Sequence, residues 1–116
     1  MGKVDWSKEA REDLEEFYLQ YCEFSEKFAQ KWADDVFEVT NLLENNPRLG
    51  RIVPELQVQS IREMIIGKYR LLYQIEKGDN IEILTIRHSS RPLNYKTKNV
   101  RIRIKRRSNQ SHQRSL

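Results

Sequence analysis

The chain has 116 residues, 38% hydrophobic and 33% charged, which is room for one small domain with a modest core. No apolar run approaches the roughly 18 residues needed to span a bilayer, and the opening MGKVDWSKEA lacks the apolar region of a secretory signal. The single cysteine, Cys22, excludes an intramolecular disulfide and a cysteine-based metal cluster. The expectation is a cytoplasmic protein with no metal, no cofactor and no membrane partner.

The formal charge of +4 is unevenly spread. Residues 94–116 hold eight Lys/Arg and no acids, so the preceding 93 residues carry 13 bases against all 17 acids. Before Pro47 there are 5 bases and 12 acids; from Arg48 to Leu93 there are 8 bases and 5 acids. An acidic front half therefore precedes a basic second half and a basic tail. The high pI is a local property, and it does not mark a general nucleic-acid binder.

In chain order, Lys3 to Trp6 reads as a short strand. Ser7 is a helix N-cap, with Glu9, Glu12 and Asp13 near the positive end of the dipole. Ala10, Leu14, Phe17, Tyr18, Tyr21 and Cys22 form a helical stripe, in which Cys22 is a small core residue. After a break at Glu23-Phe24, Ser25 caps a second helix marked by Phe28, Trp32, Val36, Phe37, Val39 and Leu43, ended by Asn45-Asn46-Pro47. The pair is an αα-hairpin with acidic outer faces. Pro47 to Glu55 is a loop, in which Gly50 is expected to supply a backbone conformation closed to other residues.

Three strands follow: Val58 to Ile66, Tyr69 to Glu76 and Ile81 to His88, joined at Gly67-Lys68 and at Lys77 to Asn80. Turns this short make antiparallel neighbours. Alternation puts Tyr69, Leu71, Tyr73 and Ile75 on one face, with Arg70, Leu72, Gln74 and Glu76 on the other. It also sets Ile81, Ile83, Thr85 and Arg87 opposite Glu82, Leu84, Ile86 and His88. The expected fold class is α+β: a short N-terminal strand and an αα-hairpin packed on one face of an antiparallel β-meander, leaving the other face for a ligand or partner. Residues 1–93 form the domain. Residues 94–116 are a basic extension, largely disordered, although Val100, Ile102 and Ile104 alternate with Arg101, Arg103 and Lys105.

This order of elements, with Pro47, Gly50-Arg51, Pro54-Glu55, Arg62-Glu63, Tyr69-Arg70, Tyr73, His88, Arg91 and Leu93, resembles the RelE/ParE superfamily of bacterial toxins over roughly residues 3 to 93. The resemblance implies a growth-inhibiting toxin of a type II toxin–antitoxin pair, held by a cognate antitoxin. Two targets occur in such a family. RelE-like members cut mRNA on the ribosome, and ParE-like members poison DNA gyrase without cutting RNA themselves. A chain that has lost toxicity and only binds its antitoxin is a third reading. The basic sheet half implies an acidic antitoxin segment against it.

Metal-free RNA cleavage needs a base, a cationic stabiliser of the phosphorane-like transition state and an acid. Arg70, in an R-L-x-Y context like that of YoeB-like ribonucleases, is the candidate phosphate-gripping residue. Arg62 and Arg87 on flanking strands are expected to converge with it, with Glu55 as base and His88 as acid. Arg48, Arg51 and Arg91 are candidate RNA or target contacts. The alternative for these arginines is cross-strand ion pairing. The sequence departs from the ribonucleases in lacking a tyrosine beside His88 and a lysine between Pro47 and Gln57. Tyr69, Tyr73, Trp6 and Trp32 read as core, and His112 is given no role.

Overall fold

The computed structural model describes residues 2–89. Arg91 and the 94–116 extension, for which expectations are stated above, lie outside these residues. The elements are β1 (Val4–Trp6), α1 (Lys8–Cys22), α2 (Glu26–Asn45), β2 (Arg51–Ile52), β3 (Ile61–Ile66), β4 (Tyr69–Ile75) and β5 (Ile81–His88). Both helices start where the caps predicted. The Ser7 hydroxyl accepts from Ala10 N at 2.9 Å and the Ser25 hydroxyl from Phe28 N at 3.1 Å, each satisfying an orphan donor of the first turn.

The five strands form one sheet in the order β1-β5-β4-β3-β2. The β2–β3–β4–β5 run is antiparallel, but β1 lies parallel to β5, with Val4 beside Ile81 and Trp6 beside Ile83. The sheet is therefore mixed rather than a pure meander. The strand predicted over Val58 to Ile66 starts later than expected, at Ile61, and Arg51–Ile52, read as loop, adds a two-residue edge strand. Gly67, at a positive φ of 57°, makes the tight turn from β3 to β4.

α1 and α2 cover one face. Ala10, Trp32, Val36 and Leu43 pack there on Leu71, Tyr73, Ile83 and Ile86, with Tyr69 beneath an aromatic group of Phe17, Tyr21 and Trp32. The other face is not left bare as expected. Residues 53–60 fold back over it, and Val53, Leu56 and Val58 close a second small core on Ile61, Leu72 and Leu84.

Two local features set which way the site residues point. Between Leu72 and Tyr73 the β4–β5 register slips: Tyr73 pairs with Ile83 but Leu72 with Thr85, leaving Leu84 as the extra residue of a bulge. Beyond the bulge the side-chain alternation of β5 is inverted. Ile86 therefore joins the helix-side core, while Leu84 packs on the other face. The expected grouping of Ile86 and His88 with Leu84 is corrected by that one residue.

Gly50 also differs from expectation. Its φ is not in the left-handed region. Instead, a Cβ there would sit 2.6 Å from the Glu63 carbonyl oxygen and 2.7 Å from the Tyr73 hydroxyl. Close approach, not backbone conformation, requires glycine at this position.

Candidate functional site

The face away from the helices carries a chain of four charges. Arg70, on the central strand β4, sends Nε to Glu63 Oε1 at 2.6 Å and its two terminal nitrogens to both oxygens of Glu55 at 2.9 Å. Arg51 reaches the other oxygen of Glu63 at 2.5 Å. Glu63 is wholly buried, Arg70 only 8% exposed at its side chain, and Arg51 61% exposed. The Glu55 hydrogen bonds push the Arg70 pKa above its ordinary value against the opposing effect of burial, and Glu63 adds to the rise. A buried guanidinium requires such compensation. Alternation in β3 places Glu63 between Ile61 and Ile65 on this face, and Glu55 comes from the loop that covers it.

Arg87 is the cross-strand partner of Arg70, so the two backbones meet on this side, as residues directly opposite do. Its Nε is buried without a hydrogen-bond partner among the described residues. Arg87 lines a cavity with Asp13 and His88, whereas Arg70, Glu55 and Arg51 are brought together through Glu63.

Arg62 and His88 are not. Arg62 pairs with Tyr73, on the helix side, and its guanidinium donates to the carbonyls of Gln59 at 3.2 Å and Gly50 at 3.1 Å. It clamps the loop before β2 and does not converge with Arg70 as expected. His88 pairs with Tyr69, and its ring stacks edge-on with that ring at 5.2 Å. Their predicted meeting on one phosphate fails because neighbours in a strand face opposite ways. Arg48 pairs weakly with Asp79 at 3.4 Å on the surface.

His88 instead borders a cavity of about 490 Å³ with Arg87, Tyr69, Phe17, Asp13 and Glu16. Asp13 reaches across from α1 to the outer edge of β5. A single carboxylate oxygen accepts from Thr85 Oγ1 at 2.7 Å and Ile86 N at 3.1 Å. Burial raises its pKa, opposed by these two hydrogen bonds. Nearby, Ser7 Oγ donates to the Leu84 carbonyl at 3.0 Å. Side chains of α1 and its N-cap therefore satisfy the β5 edge where β1 stops, which protects it from pairing with another strand.

Sequence reasoning missed Glu63 and Asp13. For Glu63 the signal was present, since a carboxylate alternating with Ile61 and Ile65 faces an apolar layer and needs a cation. For Asp13 there was none, because its partner Thr85 is 72 residues away. Among the described residues no group of three or more His, Cys, Asp or Glu is placed to hold a metal ion, and no helix is long and apolar enough to cross a membrane.

Comparison with known proteins gives one family and several similar folds. The profile of the ParE toxin of the type II toxin–antitoxin system parDE matches residues 4–93. No curated protein matches. A solved chain of the chromosomal ParDE toxin–antitoxin system from P. aeruginosa is 24% identical, with a TM-score of 0.63, covering 76% of this chain and 96% of that one. A chain of the RelBE2 toxin–antitoxin complex from Mycobacterium tuberculosis is 23% identical, with a TM-score of 0.52 and coverages of 75% and 96%. At these identities the likeness is one of fold.

Proposed function

The chain belongs to the ParE toxin family of type II toxin–antitoxin systems, and from that membership we propose that it arrests growth by binding DNA gyrase rather than by cutting RNA. The observation that carries this reading is the state of Arg70. All three of its guanidinium nitrogens are engaged by Glu55 and Glu63, so a phosphate would have to compete with two carboxylates for a largely buried cation. The candidate acid, His88, sits on the other side of the sheet. A general acid must come within hydrogen-bond reach of the atom it protonates.

Its partner in this reading is a cognate antitoxin with an acidic contact segment. The exposed guanidinium of Arg51, the exposed Ile65 and the exposed Lys68 lie around the buried Arg70, and an acidic segment with an apolar anchor complements them. The decisive experiment adds the purified chain to gyrase and plasmid DNA and counts covalent gyrase–DNA complexes. Accumulation is expected, with mRNA ends unchanged in a translating extract; unchanged gyrase complexes would overturn the reading.

One observation favours the ribonuclease alternative. Glu55 lies against Arg70, the placement of a base beside a phosphate grip, with Arg87 across the strand. New mRNA ends in the translating extract that vanish with Glu55→Gln would establish that alternative.

A further inference from the structure

On the outer side of the hairpin, α1 and α2 leave a shallow groove of about 340 Å³ between them. Leu14 and Tyr18 of α1 and Ala33 and Phe37 of α2 floor it, with Arg11 and Glu15 beside them. Phe37 remains 45% exposed although its ring rests on Trp6. The surroundings are acidic: Glu26 and Asp34 act electrostatically on the Tyr18 hydroxyl, and Glu12 and Glu15 are exposed on α1. An apolar floor with acidic margins fits a segment in which apolar and basic residues interleave.

Such a segment exists in the chain itself. Val100, Ile102 and Ile104 alternate with Arg101, Arg103 and Lys105, within a 23-residue stretch that has eight Lys/Arg and no acid. We propose that residues 99–107 dock in cis into the α1–α2 groove, apolar side chains on Phe37 and Leu14 and basic ones toward Glu15, Glu26 and Asp34. The reach is sufficient. Eleven residues separate His88 from Val100, a span of up to about 36 Å. His88 already borders α1 at Phe17 and Gln20, and the groove lies on the opposite flank of that helix, about 10 Å across. Charge complementarity also gives the acidic hairpin and the basic tail of one chain a common purpose.

The test uses the full-length chain with Cys22→Ala and Ser108→Cys, spin-labelled at position 108. Amide signals of Leu14, Glu15, Tyr18, Ala33 and Phe37 are expected to broaden at low salt, and to recover when Arg101, Arg103 and Lys105 are changed to Glu. Those changes lie outside residues 2–89, and the unchanged amide spectrum of those residues in the reversed chain is the control. Broadening that is absent, or that survives the charge reversal, overturns the proposal. So does broadening of an isotope-labelled chain by a separate spin-labelled chain, which would place the tail on a second copy.

Discussion

Arg70 and His88 occupy neighbouring strands yet face opposite sides of the sheet, because the register pairs Arg70 with Arg87 and Tyr69 with His88. Strict alternation from Ile81 would have set His88 with Leu84, on the side of Leu72 and Arg70. The bulge at Leu84 reverses that parity, and one inserted residue separates the two members of the expected acid–phosphate pair.

The first prediction follows from that separation. His88→Ala removes a ring that touches Tyr69 and costs about 0.5–1.5 kcal/mol of stability. Growth arrest after induction is expected to persist, and mRNA ends to stay unchanged. Loss of arrest in a variant that still melts cooperatively would count for a catalytic His88 and against a binding poison.

The second concerns the buried ion network. Arg70→Ala leaves Glu63 charged and wholly buried, with only the exposed Arg51 as partner, and is expected to cost about 3–5 kcal/mol. Replacing both partners, Arg70→Met with Glu63→Leu, removes the stranded charge and is expected to lie much closer to the parent chain. Urea unfolding of the single and double variants measures this. Additive losses would mean that the two residues do not act as a pair.

A third prediction separates the two glycines. Gly50→Ala drives a Cβ toward the Glu63 carbonyl and the Tyr73 hydroxyl, and overpacking of this kind costs about 1–3 kcal/mol. Tyr73→Phe strips the same corner of the bonds from Gly50 N at 2.8 Å and to Pro47 O at 2.7 Å, at about 1–3 kcal/mol for the groups left unpaired. Gly67→Ala meets no atom within 4 Å and bears only the cost of its positive φ, about 1–2 kcal/mol. Thermal melts that rank Gly67→Ala as the worst of the three would contradict the crowding at Gly50.

These residues mark how far the sequence could be read. The helix starts at Ser7 and Ser25 and the strands at Tyr69 and Ile81 were legible, because capping and period-two patterns act over a few residues. The place of Arg70 on the face away from the helices was legible for the same reason. The bulge was not, since Leu84 and Thr85 look like any alternating pair until a partner strand fixes the register. Nor was the neutralisation of Arg70, which depends on a loop carrying Glu55 back over the sheet, or the parallel pairing of β1 with β5 across 77 residues of chain.

The final prediction is a pH dependence at Asp13. Burial raises its folded pKa above the ordinary 3.8, so folding disfavours the charged form. A raised pKa contributes stability that is fully present below the unfolded value and lost as pH rises through the folded one. Asp13→Asn keeps an oxygen that can accept from both Thr85 and Ile86 N–H, since a single oxygen takes both bonds in the parent chain, and it carries no charge to desolvate. The variant is therefore expected to gain on the parent as pH rises from about 3 to 7, the difference levelling above the folded pKa. Asp13→Ala instead leaves the Ile86 N–H and the Thr85 hydroxyl without their acceptor and is expected to lose about 1–3 kcal/mol at pH 7. Parallel unfolding curves for the three chains across that range decide the matter. A gap between Asn and Asp that narrows with rising pH would show that the hydrogen bonds, and not burial, govern this carboxylate.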